Sequence, residues 1–219
     1  MARGLLRSLG FAALVAGGTL GVAFSASAET ISLGQTSQNW LFTANGGGFV
    51  NVSTNGSATS GPATFDSVMG AYMLGSSTTS FIVGPESMGQ FPAGANSVPF
   101  MFQSIPAGDL LTGTVTFSFL QDGTPTPKFF GTMHVNNVMG DAAFMAAFTI
   151  GETLNINVTT LALSGSNTLE SVAAGARASA PIGSGSVSPI PLPGALPLFA
   201  TGLGALARLS WRRKRKAAA

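Results

Sequence analysis

The chain of 219 residues contains no cysteine and one histidine, and only 8% of its residues are charged. Without cysteine it cannot form a disulfide scaffold, a thiolate zinc site, an iron–sulfur cluster or a cysteine nucleophile. A zinc site that used the single histidine would need several carboxylates around it, and none clusters near His134 in the sequence. We therefore expect neither a metal site nor a cofactor.

The few charges are unevenly distributed along the chain. Of the ten basic residues, two lie in the first seven positions and six lie from position 208 onward. Residues 29–188 hold the remaining two together with all eight acids, which gives this part a formal net charge of −6. Since the basic residues belong to the two ends and the middle is acidic, we expect no nucleic-acid partner.

The amino end has the three parts of a secretory signal peptide. Arg3 and Arg7 form a short cationic stretch, residues 9–23 carry no charge, and a run of small residues in an A-x-A arrangement ends at Ala28. The order of these parts predicts a signal peptide over residues 1–28, cleaved after Ala28 by signal peptidase. The alternative is a buried amino-terminal helix.

The carboxyl end has a second apolar segment followed by a basic block. Residues 195–211 contain one charged residue, Arg208, and about 17 residues in a helix span about 25 Å, near the lower limit for crossing a bilayer. The positive-inside rule keeps the basic block in the cytosol. That block consists of Arg212, Arg213, Lys214, Arg215 and Lys216. The pattern predicts a transmembrane helix over 195–211; the alternatives are a buried helix with a charged end and a basic nucleic-acid-binding tail.

A proline-rich motif precedes this helix. Pro191, Leu192 and Pro193 cannot continue a helix interior, so they keep the junction extended and reachable by a protease. Upstream, residues 179–190 are rich in glycine, serine and proline, and this composition predicts a flexible linker.

The last part of the chain, about residues 189–216, resembles a PEP-CTERM sorting signal, with Leu192 where the commonest motif has glutamate. That family combines a short proline-rich motif, a transmembrane helix and a terminal basic cluster. The resemblance implies recognition and processing by an exosortase, a membrane-embedded enzyme, after transient anchoring in the inner membrane. It also implies a Gram-negative bacterium that makes exopolysaccharide, with the mature protein secreted or held at the cell surface.

Residues 29–178 are rich in threonine, serine, asparagine, glycine, phenylalanine and valine, and several runs alternate with period two, as half-buried strands do. Residues 114–120 place Val115, Phe117 and Phe119 on one face, and residues 154–160 do the same for Leu154, Ile156 and Val158. Shorter candidates are residues 40–43, 49–54, 64–69, 80–83 and 98–102. The pattern predicts an antiparallel all-β domain, either a β-sandwich or a jelly roll.

Three details of this domain are also predicted. The turn at residues 121–125 should join the 114–120 strand to residues 129–138 as a hairpin. Residues 142–148 stay ambiguous, because Phe144 and Phe148 are four apart, as on a helix, while the next residues continue as a strand. The seven methionines of this region are expected to fill gaps in the core.

No catalytic constellation is evident. Alternation places His134 with Thr132 and Asn136 on the solvent face of a strand, and the chain contains no G-x-S-x-G elbow. Trp40 could stack on a sugar ring, although a single tryptophan in such a domain is more often core. Two carboxylates for glycoside hydrolysis can lie far apart in a sequence, so that possibility stays open.

Together these features predict a non-catalytic cell-surface or extracellular-matrix protein. It would be exported by its signal peptide, sorted at its carboxyl end and associated with exopolysaccharide. One alternative is a secreted β-sandwich that binds or hydrolyses carbohydrate. Another is an envelope protein whose membrane anchor is never removed.

Overall fold

The computed structural model describes residues 29–106, 108–122 and 126–190. The strands are β1 (Ile31–Leu33), β2 (Asn39–Ala44), β3 (Val50–Ser53), β4 (Thr59–Phe65), β5 (Val68–Leu74), β6 (Ser80–Val83), β7 (Gln90–Pro92), β8 (Val98–Ser104), β9 (Leu110–Gln121), β10 (Lys128–Met139), β11 (Thr153–Thr160) and β12 (Arg177–Pro189). The helices are α1 (Ala142–Ala147), a 3-10 turn (Ser164–Ser166) and α2 (Leu169–Ala173).

Eight strands pair side by side in the order β1, β4, β5, β8, β9, β10, β11, β12, and β1 also pairs with β12, so the sheet closes into a barrel. Ile31 of β1 shows the closure, because it lies opposite Phe65 of β4 on one side and Val187 of β12 on the other. The predicted antiparallel all-β class is confirmed. The expected sandwich or jelly roll is replaced by a closed sheet, because β12, which the composition predicted to be a linker, supplies the closing strand.

A smaller sheet branches from the barrel. Residues 177–181 of β12 pair with β2, and β2 continues through β3 to β6. Farther along, β12 pairs with β11 and β1 instead. The long strand β12 therefore belongs to both sheets and joins them.

The predicted linker over residues 179–190 is thus wrong for most of its length. Alternate residues of β12 are buried, beginning with Ala178 and Ala180 and continuing with Ile182. Glycine is needed in this strand for close packing, since a Cβ at Gly185 would lie 2.5 Å from the carbonyl oxygen of Asn157. The small residues of this segment allow close strand packing, so their glycine-, serine- and proline-rich composition does not indicate a flexible linker here.

Aromatic rings fill two parts of the core. Trp40 of β2 is buried and lies 5.2 Å from Phe129, with Phe81 and Phe117 beside it. This cluster joins the smaller sheet to β9 and β10. The three distances from the Trp40 ring centroid to its neighbours lie within the range of about 4.5–7 Å that favours aromatic pairs. Each such pair stabilises the fold by about 0.5–1.5 kcal/mol beyond the burial of its surface.

The second aromatic cluster lies under α1. The Asp141 side chain accepts a hydrogen bond from the Phe144 N–H (2.8 Å) and so caps the helix. Phe144 and Phe148 are buried, and their rings lie 4.9 and 5.4 Å from Phe65. The four-residue spacing of the two phenylalanines therefore reflects a short helix that closes one end of the barrel.

The methionines are mostly on the surface, so the prediction that they fill the core is wrong for five of the seven. Met133 is buried and Met101 is half-buried. The exposed ones are Met69, Met73, Met88, Met139 and Met145. On β5 the inward positions are taken by Gly70, Tyr72 and Leu74, which leaves the methionines on the outer face.

Candidate functional site

Several predicted site residues lie outside the described residues. They are the cleavage position Ala28, the motif residues Pro191, Leu192 and Pro193, the helix over 195–211, and the basic cluster 212–216. Within the ranges that are described, no helix has the length and apolar character that a membrane span requires. The interpretation of both terminal segments therefore stays a prediction from sequence.

The two ends of the described chain lie next to each other. Ile31 pairs with Val187, and the antiparallel register places Glu29 beside the end of β12 at Pro189. Pro189 also lies opposite Leu154 on β11. The first and last described residues, Glu29 and Ile190, therefore lie at the same end of the barrel, and in the sequence one residue, Ile190, separates β12 from the motif at 191–193.

His134 lies where the alternation predicts, on the outer face of β10 between buried Met133 and Val135. Its partners in register are Thr114 on β9 and Thr153 on β11. Neither is a carboxylate that could orient the imidazole. Among the residues that the structure describes, no three histidine, cysteine, aspartate or glutamate side chains are grouped so as to hold a metal ion.

Trp40 is 1% exposed, so it is a core residue and offers no ring to a sugar. A different pair of rings does reach the surface. Phe119 on β9 and Phe130 on β10 are half-buried, and their rings stack with centroids 5.0 Å apart and planes 21° apart.

A β-bulge brings these two rings together. Phe117 pairs with Gly131 and Phe119 pairs with Phe130, so Ser118 is an extra residue with no partner on β10. The prediction that Phe119 shares the buried face of Val115 and Phe117 is therefore wrong, because the extra residue turns Phe119 outward. Gly131 permits the bulge, since a Cβ there would overlap the carbonyl oxygen of Thr116.

Asn96 holds the bulged strand from its other side. Its Oδ1 accepts a hydrogen bond from the Phe117 N–H (2.8 Å), and its Nδ2 donates to the Phe117 carbonyl oxygen (2.8 Å). This one side chain thus takes the place of a neighbouring strand between β7 and β8. The Ser118 carbonyl oxygen is satisfied separately, by the Ala93 N–H at 2.9 Å.

Polar groups lie next to the two rings on the same outer face. Phe130 lies opposite Asn157 on β11, and Asn157 lies opposite Ser186 on β12. The Asn157 amide donates to the Ser186 hydroxyl at 2.8 Å. The surface thus offers apolar ring faces next to neutral amide and hydroxyl groups, which suits a ligand with both C–H and O–H surfaces, such as a sugar.

Sequence reasoning missed Phe119, Phe130 and Asn96. The one available signal was Gly131, because an isolated glycine inside a strand pattern indicates a bulge or a close approach of two backbones. Comparison of the chain with protein-family models, with curated proteins and with solved structures gives no match.

Proposed function

We propose that this chain is the precursor of a non-catalytic cell-surface or extracellular-matrix protein of a Gram-negative bacterium. Signal peptidase cleaves it after Ala28, and an exosortase-type membrane enzyme recognises Pro191, Leu192 and Pro193. The apolar segment 195–211 and the basic cluster 212–216 hold the chain in the membrane until that step. The resemblance of the carboxyl end to PEP-CTERM signals carries this proposal.

The position of the chain ends supports it. Because β1 and β12 are paired, a domain attached to the membrane at either end would be attached from the same side. The signal peptide and the carboxyl-terminal segment can then engage one membrane without a long connection around the barrel.

Glu29 gives a second, local support. Its Oε2 atom is buried and has no hydrogen-bond partner among the residues that the structure describes. A buried carboxylate oxygen without a partner is costly. Cleavage after Ala28 would create an α-ammonium group, a cation on the same residue as that oxygen.

A triple variant tests the sorting step. Pro191→Ala, Leu192→Ala and Pro193→Ala together should leave the protein in the membrane fraction of cells that possess the processing enzyme. Pro85→Ala, at an exposed proline about a hundred residues before the motif in the sequence, is the matched control and should be released like the original chain. Release of the triple variant at the original rate would contradict the proposal.

The stacked pair Phe119 and Phe130 favours a second candidate function, the binding of exopolysaccharide on the outer face of β9, β10 and β11. Phe119→Ala and Phe130→Ala should each weaken retention on the host polysaccharide by about 0.5–1.5 kcal/mol, roughly two- to ten-fold. Phe49→Ala removes a ring that is 39% exposed elsewhere and is the control. Unchanged retention of the double variant in affinity electrophoresis would exclude this face as the binding surface.

A further inference from the structure

One end of the barrel carries a group of exposed apolar side chains, which we call the apolar pole. Its members are Val68, Met69, Ile105, Met145, Ile150 and Ile190. Four of them are exposed by more than half: Met69 by 68%, Ile105 by 64%, Ile150 by 62% and Met145 by 51%. Single exposed apolar residues are ordinary, but several at one end of a domain indicate an interaction surface.

The strand pairings place these residues at the end where the chain leaves the barrel. Ile31 lies between Phe65 and Val187, so the turn that follows β4 is beside the end of β12. Met69 follows that turn, and its carbonyl oxygen accepts a hydrogen bond from the Ile105 N–H at 2.7 Å.

Helix α1 covers the middle of the apolar pole and exposes apolar residues outward. Phe144 and Phe148 point into the barrel, while Ala142, Ala143, Met145 and Ala146 are exposed. A helix that borders water has charged or polar residues on its outer face. The outer face of α1 has none within the helix, although Asp141 caps its first turn.

The charges around the apolar pole are acidic, and several are already engaged. Asp109 accepts a hydrogen bond from the Asp141 N–H, Asp141 caps α1, and Glu152 accepts from the Thr149 N–H. The two cations of residues 29–188 lie at the opposite ends of their strands, since Lys128 begins β10 and Arg177 begins β12. An apolar surface with an acidic border is repelled by anionic lipid and is compatible with a neutral one.

The segment between β12 and the predicted transmembrane helix is short, so it keeps this surface near the membrane. Residues 190–194 separate the end of β12 from the predicted helix 195–211. Five residues span at most about 17 Å when fully extended. Because β12 is a strand where a flexible linker was expected, the apolar pole cannot move far from a bilayer that holds the helix.

We propose that the apolar pole rests on the surface of a neutral, zwitterionic bilayer while the chain is anchored, with α1 and Ile150 in the interface. This inference rests on the proposed function, because it requires residues 195–211 to enter the membrane. Contact of this kind would orient the domain and hold the motif at 191–193 at the water–lipid boundary.

The absence of cysteine allows a direct test with the full chain reconstituted in phosphatidylcholine vesicles. Single variants Met145→Cys and Ile150→Cys carry a fluorophore on the apolar pole. Met88→Cys, at a side chain that is 99% exposed near the opposite end, is the matched control. Leu203→Cys reports insertion of the predicted helix, and a nitroxide quencher is placed on the lipid acyl chain near the headgroup.

We expect strong quenching at Met145→Cys and Ile150→Cys, on the order of half of the emission, since an interfacial helix lies about 5–10 Å into the headgroup region. Quenching at Leu203→Cys with none at either pole position would overturn this inference and leave the proposed anchor intact. Quenching at the pole alone would overturn the anchor and, since the inference requires the anchor, the inference as stated. Quenching at none of these positions would also overturn both. Equal quenching at Met88→Cys would also overturn the inference, because the domain would have no fixed orientation.

Discussion

Gly131 is the residue on which the outer aromatic pair depends. A Cβ at this position would overlap the Thr116 carbonyl oxygen and lie 2.8 Å from the Cα of Phe117. Both are backbone atoms of the bulged strand, so no side-chain rotation can relieve the overlap. The bulge and this glycine therefore form one local arrangement, and a side chain at 131 should disturb both.

We predict that Gly131→Ala lowers the free energy of unfolding by about 1–3 kcal/mol, the usual cost of overpacking. Gly94→Ala is the matched control, because a Cβ there would meet its nearest atom at 3.4 Å, an ordinary contact. Its effect should stay within about 0.5 kcal/mol. Chemical denaturation of the two variants makes the comparison, and equal stability would contradict the close contact at Gly131.

Tyr72 gives the domain a pH dependence at alkaline pH. Burial raises the pKa of Tyr72 above its ordinary value, and its hydroxyl donates to the Gly34 carbonyl oxygen at 3.0 Å. In the unfolded chain this phenol loses its proton at about pH 10. Above that pH the folded state holds a proton that the unfolded state has lost, so the free energy of unfolding should fall as the pH rises.

Tyr72→Phe should flatten this alkaline decline, at a cost of about 1 kcal/mol near neutral pH for the lost hydrogen bond. Tyr72 is the one tyrosine of the chain, so tyrosinate absorbance follows this group alone. Titration of the folded protein near the ordinary tyrosine pKa would contradict the buried position.

At the scale of elements, β12 decides whether the sheet is open or closed. Ile182 is 1% exposed and begins the part of the strand that pairs with β11. Ile182→Ala should therefore lower the free energy of unfolding by about 2–5 kcal/mol. Ser184→Ala, at an exposed position two residues along, should have little effect. Equal melting temperatures of the two variants would contradict the buried position of Ile182 and would support the earlier prediction of a flexible linker.

The elements that the sequence predicts well are those with strict alternation and large apolar residues. Leu154, Ile156 and Val158 are buried as expected, and β9 and β10 pair antiparallel as the predicted hairpin requires, although residues 123–125 of the predicted turn lie outside the described residues. β12 escaped prediction because its inward residues are partly alanine, which carries little hydrophobic signal. Phe119 escaped because a bulge changes the alternation without changing the composition.

At the scale of the whole molecule, the two ends of the sequence differ from residues 29–188 in charge. The cationic residues lie mainly in the two ends of the sequence, and residues 29–188, with a formal net charge of −6, contain a barrel whose first and last strands, β1 and β12, are paired. The expectation of targeting rests on the order of charge, apolar length and small residues at the two ends, and it stays a prediction. The outer aromatic face could not be predicted from the sequence, because it depends on strand register.

The proposed maturation has one direct test, the intact mass of the protein recovered from the medium and from the membranes of cells with the processing enzyme. We predict that the released form begins at Glu29 and lacks the basic cluster 212–216. A released protein with its carboxyl terminus intact through Ala219 would contradict the central claim.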